Sequence, residues 1–429
     1  MKRIKITITS FLVVSLIQAQ FSVSGEINPY AMIRTKDSSK INLPFRLLSL
    51  DTGYSFESFD IKINTAVEHR IKTNKSLLDL REAYFAFYPE WGEVKLGKQI
   101  HSWGAADAIN PTNNANPYDY YYMFKVGAGT KVGVLSLAST YYSDSFQIEI
   151  VVNPYFNKNR IPYAEKDFPL APDNEPKVKY YPNEELEIGV RLQTSLNRGD
   201  FSLSFFSGND RMPSLHTGIF PNESSADISM DLGYRRTAML GLDFVTFIGD
   251  FTIRAESALY ETKTGIIENN NRLNNFYVLN EDVIYSQYVF QFEYTTSNDL
   301  MFSGQFIGSR TINEDRKWQN NSIESSSGEI IIPDFNPGMG TPFAMFSNKA
   351  FLISSSGVFL DDQIDIQGSV MLNLENSGLF YSFGSGYSPI LNWKVELAAT
   401  QFLGSGKPKD PFTLMEDFSH VRIGIMYNF

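Results

Sequence analysis

The sequence predicts an all-β protein, a closed antiparallel transmembrane β-barrel of about 18 strands, with 16 as the alternative count. Three observations carry that expectation. Segments of ten or so residues alternate apolar and polar side chains along most of the chain. The links between these segments alternate short and long. The chain begins with an export-like segment and stops at Phe429, on an apolar position of an alternating segment.

Composition narrows the field before any motif is read. The chain has 429 residues, a net charge of −11 and no cysteine. That charge argues against nucleic acid as a partner, because no basic face is available for phosphates. The missing cysteines exclude disulfide frameworks, thiolate zinc sites and cysteine nucleophiles. With 43% apolar and 20% charged residues the chain is too apolar for disorder. Its 34 Phe and 23 Tyr favour strands.

Residues 1–19 read as a signal peptide. Lys2, Arg3 and Lys5 form a cationic start, residues 11–17 an apolar core, and Ala19 a small residue before the cut. Its removal deepens the net charge from −11 to −14. Residues 20–429 then form one barrel domain. They hold no run of about 18 apolar residues, so any span must be made by strands that satisfy one another's backbone.

The strands follow from period two. Tyr288, Phe290, Phe292 and Tyr294 share one face, and Gln287, Gln291 and Glu293 the other. Phe59, Ile61, Ile63 and Val67 oppose Asp60, Lys62, Asn64 and Glu68. Ile366, Val370 and Leu372 oppose Asp365, Gln367 and Ser369. Strands are expected at 21–34, 43–56, 57–70, 78–89, 92–100, 129–142, 145–153, 184–197, 200–208, 232–248, 249–262, 282–297, 298–311, 346–360, 364–375, 378–387, 390–404 and 419–429. Links after even-numbered strands are tight, such as Ser143-Asp144 and Gly249-Asp250. Links after odd-numbered strands are mostly long, at 71–77, 101–128, 154–183, 209–231, 263–281, 312–345 and 405–418. A soluble sandwich has no reason for that parity. A membrane barrel does, with short periplasmic turns and long outer loops. The short link near Asn376-Ser377 breaks the pattern.

A barrel of 16 to 18 strands has an aqueous interior. Its lumen-facing candidates are Glu93, Lys95, Glu187, Arg191, Arg254, Glu256 and Glu293, with Asp60, Lys62, Glu68, Asp365, Lys394 and Glu396. Signs are mixed with a modest acidic excess, which favours cations. Few aromatic residues fall on the inward positions of this reading. The loop 101–128 packs polar groups beside Trp and Tyr, and either folds into the pore as a constriction or caps it. With the strand before it, it supplies Lys98, Gln99, His101, Trp103, Asp107, Asn110, Asn116 and Asp119.

The stretch 80–119 carries L-R-E-A-Y at 80–84, L-G-K-Q at 96–99, W-G-A-A-D at 103–107, N-P-T at 110–112 and N-P-Y-D at 116–119. It resembles a large, mostly uncharacterised family of porin-like outer-membrane barrels, similar in style to alginate-export-like porins. The resemblance implies an outer-membrane barrel and hands over no substrate. Where that family usually has Arg, this chain has Lys98, and a fork-shaped donor is not a point charge. The last strand, with Val421, Ile423, Ile425, Tyr427 and Phe429 on one face, resembles the terminal strand read by the barrel-assembly machinery.

No enzyme is expected. The four histidines, His69, His101, His216 and His420, form no metal-binding pair, and no nucleophile–base–orienter set can be named, although His101 and Asp107 share a loop. No cofactor motif is present; residues 126–131 resemble a phosphate loop only faintly and read as a Gly-rich lead into a strand. The expected function is an outer-membrane channel for passive passage of small polar solutes, with outer-membrane lipid and the assembly machinery as partners. The alternatives are a plugged barrel acting as a surface-binding or structural protein, and a transporter of a hydrophobic compound or polysaccharide. Periodicity marks no flat apolar interface, so the oligomeric state stays open.

Overall fold

The computed structural model describes residues 20–107, 109–125, 127–168, 175–219, 229–265, 276–320, 332–342, 347–407 and 410–429. The expected export signal lies outside them. Eighteen wall strands close on themselves in antiparallel order. The first, β1, runs Gln20–Ile27 and resumes as Tyr30–Arg34, because Pro29 has no N–H for the ladder. There follow β2 (Phe45–Phe56), β3 (Phe59–Arg70), β4 (Lys75–Phe87), β5 (Gly92–Gln99), β6 (Val134–Tyr142), β7 (Phe146–Asn153), β8 (Glu187–Leu196) and β9 (Gly199–Asn209). The second half is β10 (Arg236–Ile248), β11 (Phe251–Lys263), β12 (Phe276–Thr295), β13 (Met301–Asn320), β14 (Lys349–Phe359), β15 (Ile364–Asn373), β16 (Leu379–Ile390), β17 (Trp393–Leu403) and β18 (His420–Asn428). Closure is made between β18 and β1, with Phe429 and Gly25 exchanging both backbone hydrogen bonds at 2.9 and 3.0 Å.

Alternation divides every strand between lipid and lumen. On β10, Leu240, Leu242 and Phe244 point outward while Met239, Gly241 and Asp243 point inward. Phe290 and Phe292 on β12, Phe201, Leu203 and Phe205 on β9, and Ile423 and Ile425 on β18 continue the outward apolar band. At the tight-turn end the outward side chains turn aromatic: Trp91, Tyr141, Trp393 and Tyr427, the last two with ring centroids 4.8 Å apart. Such a girdle marks a membrane interface.

The parity of the links is largely as the sequence predicts, with three differences. Residues 71–74 form a four-residue turn, because β4 already starts at Lys75. β12 and β13 are each 20 residues long and stand well above the other strands. Their upper parts carry Glu281, Asp282, Glu314, Asp315, Arg316 and Lys317. On the raised part of β13 residues 311–315 are all exposed, so the alternation that marks a strand is lost there. The Gly-rich stretch forms a 3-10 turn, Gly127–Thr130, rather than the start of β6. Between β9 and β10 lies a small hairpin, Ser214–Ile219 with Ser229–Gly233, which pairs with the top of β12.

Outward and inward positions on neighbouring residues should answer oppositely to charge. Leu242→Arg places a cation in the lipid-facing band and should destabilise the barrel by about 2–4 kcal/mol. Lys62→Ala, on the wet inner face, should stay within about 0.5 kcal/mol. Denaturant titration of the protein folded into vesicles measures both.

Candidate functional site

The chain between β5 and β6 leaves the wall and lies against inward-facing side chains across the barrel. Its backbone has left the ladder, so its N–H and C=O groups need other partners. Glu256 on β11 supplies most of them. Its carboxylate, 2% exposed, accepts from Ala105 N (2.5 Å), Ala106 N (2.6 Å), Asn110 Nδ2 (2.9 Å) and Thr112 Oγ1 (3.1 Å). Gly104 sits directly on that carboxylate with φ +95°, and a Cβ there would lie 2.5 Å from Oε1. Both conformation and space therefore require glycine.

The other loop residues are anchors too. Trp103 is buried, stacks over Gly189 of β8 where a Cβ would meet its ring at 2.5 Å, and donates its indole N–H to Glu149 of β7 (2.8 Å). Ala106 packs with Val289, Ile307 and Ala350 on β12 to β14. Asn116 accepts from His101 N (2.7 Å) and donates to Gln99 O and Val132 O (both 2.9 Å). Tyr260 of β11 donates to Pro111 O and accepts from Asn114. Asp119 caps the 3-10 turn Tyr120–Tyr122 and meets Arg160 at 3.0 Å. Burial, working against the Arg160 charge, pushes the Asp119 carboxyl up to about 6. Lys131 is wholly buried, donates to Asn113 O (2.8 Å) and lies 3.4 Å from the Tyr118 ring centre. Burial, with Arg211 nearby, holds its ammonium well below the usual lysine range.

Further segments close over this loop from the outer side. Arg160 pairs with Glu68 of β3 (2.6 Å). Glu187 of β8 holds Arg211 by two bonds, at 2.7 and 2.8 Å. Arg235 joins Asp210 (2.7 Å) to Glu281 (3.4 Å) and donates to Asn336 O (2.7 Å). Phe412, Met415 and Phe418, from the link before β18, pack on Phe402.

The outcome is a lumen with two unlike sides. Inward side chains of β8 to β13, among them Glu187, Asp243, Glu256, Tyr260, Glu281, Tyr285, Gln287 and Gln291, are buried under the loops. Toward the tight-turn end those of β15 to β5 face space: Asp365 pairs with Lys394 (2.8 Å), Arg422 approaches Glu396 (3.9 Å) and Lys95 pairs with Glu93 (2.7 Å), all partly exposed, whereas Phe45, Arg46, Glu68 and Phe402 at the outer end are buried. A polar cavity of about 280 Å³ opens on the tight-turn side of the loop, bounded by Glu82, Tyr84, His101, Gln147, Glu149 and Gln193 among others.

The candidate residues therefore separate. Glu93, Lys95, Arg191, Arg254 and Asp107 reach accessible space, and Asp107, with its side chain 51% exposed, accepts from Gln291 Nε2 (2.7 Å) near Arg254 (3.8 Å). Glu293 binds Arg254 (2.9 Å) beside them. Gln99, His101, Trp103, Asn110, Asn116, Asp119, Glu187 and Glu256 spend their polar atoms holding loops in place. Lys98 pairs with the outward Leu135 and donates to Leu80 O, so it points away from the lumen. Adjacent residues of a strand face opposite ways, and Gln99 holds the inward position. His101 does not meet Asp107. Its Nε2 lies 2.9 Å from Ser136 Oγ and its Nδ1 3.7 Å from Glu149. Ser136 is 1% exposed, so this chain of groups orients His101 and presents no accessible nucleophile.

Sequence reading missed Glu82, Glu149, Arg211 and Arg235. Glu82 and Glu149 had a usable signal, since each shares inward parity with a neighbour, Tyr84 and Val151. The wall is also richer in inward aromatics than expected, with Tyr84, Phe206, Tyr260, Tyr285, Phe380 and Phe402. Glu256→Ala should leave the Ala105 and Ala106 amides without an acceptor, costing about 1–3 kcal/mol. Hydrogen exchange at those two amides should accelerate about tenfold or more, while Glu256→Gln recovers part of the protection.

No curated protein matches the chain in sequence. Among solved structures it is similar to a BenF-like porin from Pseudomonas fluorescens Pf-5, with TM-score 0.53 and 10% identity, covering 96% of this chain and 99% of that one. OccK11 (OpdR) of Pseudomonas aeruginosa gives TM-score 0.52 and 8% identity over 95% and 96%. OccK2 (OpdF) of the same organism, in complex with glucuronate, gives 0.52 and 9% over 96% and 97%. These likenesses show a porin-like fold. A family model matches residues 67–429, most of the chain, and the protein therefore belongs to the family described as protein of unknown function (DUF1302).

Proposed function

We propose that the mature chain is an outer-membrane channel for the passive passage of small polar solutes, with a preference for cations. One observation carries this reading. Toward the tight-turn end, the inward faces of β15 to β5 keep charged side chains beside open space, while most inward side chains of β8 to β13 are buried. Solutes would pass along that wet side, under the edge of the loop 101–128, with Asp107, Arg254 and Glu293 at its tip setting the constriction. Its fixed charges are mostly compensated pairs, and the remainder, Lys62 apart, is acidic, which lowers the energy of a passing cation.

The rest of the proposal follows from the wall. Residues 1–19 direct export and are removed, the outward rows meet outer-membrane lipid, and the strand ending at Phe429 is read by the assembly machinery. The porin-like fold supports placement in the bacterial outer membrane. Catalysis has no part in the mechanism.

A second reading is favoured by one feature. Phe124, 47% exposed, lies near Phe380, Phe402 and Phe418 at the outer mouth, with ring centroids 5.9–6.2 Å away. Such a patch suits capture of a hydrophobic compound.

Refolded protein in a planar bilayer tests the first reading. Stable conductance steps are expected, and under a salt gradient the reversal potential should take the sign of cation preference. Anion preference would overturn the charge assignment. Deleting 101–128 should raise the conductance several-fold. No current in either form, with Phe124-dependent binding of an aromatic fluorophore, would transfer the assignment to the second reading.

A further inference from the structure

The cavity beneath the loop has a charge pattern that the channel reading does not use. Two of its carboxylates form no ion pair with a Lys or Arg among the described residues. Glu82 accepts from Ile100 N at 2.9 Å, and Glu149 accepts from the Trp103 indole at 2.8 Å. No Lys or Arg among the described residues forms an ion pair with either, and the nearest ring nitrogen to Glu149, His101 Nδ1, is 3.7 Å away. The two cations that border the cavity have partners other than Glu82 and Glu149. Arg191, directly across the ladder from Glu149, turns to Asp243 and Ser202, both at 3.1 Å. Lys95 lies 2.7 Å from Glu93. An ionised carboxylate has about four acceptor sites, so both groups keep lone pairs for a donor in the cavity.

The remaining lining is neutral and polar. Gln147 donates to Gln193 at 2.8 Å, and together they bring two amides to the cavity, each with more hydrogen-bonding capacity than that one bond uses. Tyr84 offers a flat face and a phenol. A volume of about 280 Å³ sits at the low end of small-molecule sites and suits a single sugar-sized molecule. A bare metal ion does not fit, because no three His, Asp or Glu side chains among the described residues converge on one point.

We propose that this cavity binds a hydroxyl-rich solute of monosaccharide size that carries an ammonium group. The ammonium sits between Glu82 and Glu149, the hydroxyls meet Gln147 and Gln193, and the ring lies on Tyr84. An anion of the same size meets two carboxylates that form no ion pair with Lys or Arg among the described residues, and is repelled. The assignment rests on the channel reading for its place on a solute path, whereas binding itself requires no conduction.

Three isosteric probes test it: D-glucosamine, D-glucose and D-glucuronate. Titration calorimetry of the full mature chain refolded in detergent reads binding directly. Glucosamine should give a saturable change at about one tenth of the concentration that glucose needs, and glucuronate none. Glu82→Gln and Glu149→Gln, made separately and each checked for folding by heat-modifiable gel migration, should each weaken glucosamine about tenfold and leave glucose binding in place. Equal responses to glucosamine and glucose would overturn the proposal, as would wild-type binding in both variants. Binding without bilayer current would keep this site and remove the channel. Current without binding would do the reverse.

Discussion

A chain laid inside a barrel must find partners for backbone groups that no longer belong to a ladder. In this protein that demand is met largely from one wall position. Glu256 takes donors from four consecutive parts of the loop, and the glycine at 104 exists to let the backbone reach it. The later anchors build on that grip. Trp103 wedges against Gly189, Asn116 ties the two ends of the loop together, and the arginines of the outer segments pair with carboxylates on β3, β8 and β12. The interior is thereby divided between a packed half and a wet half. The charges that a solute can meet are only those that this packing leaves uncovered.

The strand pattern was open to reading because lipid and water act on alternate residues. Val395 and Leu397 against Lys394 and Glu396 is a record of two solvents. The record fades where both solvents are water, as at Glu314 to Lys317 on the raised part of β13. The division of the lumen was less legible. Glu256 and Glu396 occupy equivalent inward positions, yet one is buried by a segment about 150 residues away and the other stays wet. Nothing local distinguishes them. Lys98 is a different case, since period two alone sends it to the opposite face from Gln99.

The stretch 80–119 stood out in the sequence through its density of Trp, Asn, Asp and Gly. In the fold, most of those side chains hold the loop instead of facing a solute. Asn110, Asn116 and Asp119 satisfy backbone or charged groups, and Trp103 fills a groove beside a glycine. Residue types that recognise ligands are the same types that pin irregular backbone. Telling the two uses apart requires knowing which strand lies opposite, and that is a property of the closed barrel.

The uneven filling also makes the barrel lopsided as an elastic body. From β8 to β13 the wall is backed by close-packed protein, which resists compression. From β15 to β5, toward the tight-turn end, it is a single sheet whose inward side chains stay partly exposed. Lateral pressure from the bilayer is therefore borne by a stiff arc and a compliant one. Flattening would be taken up on the compliant arc, where Lys394 and Asp365 face the open lumen. A passage along that side would change its cross-section with the mechanical state of the surrounding lipid.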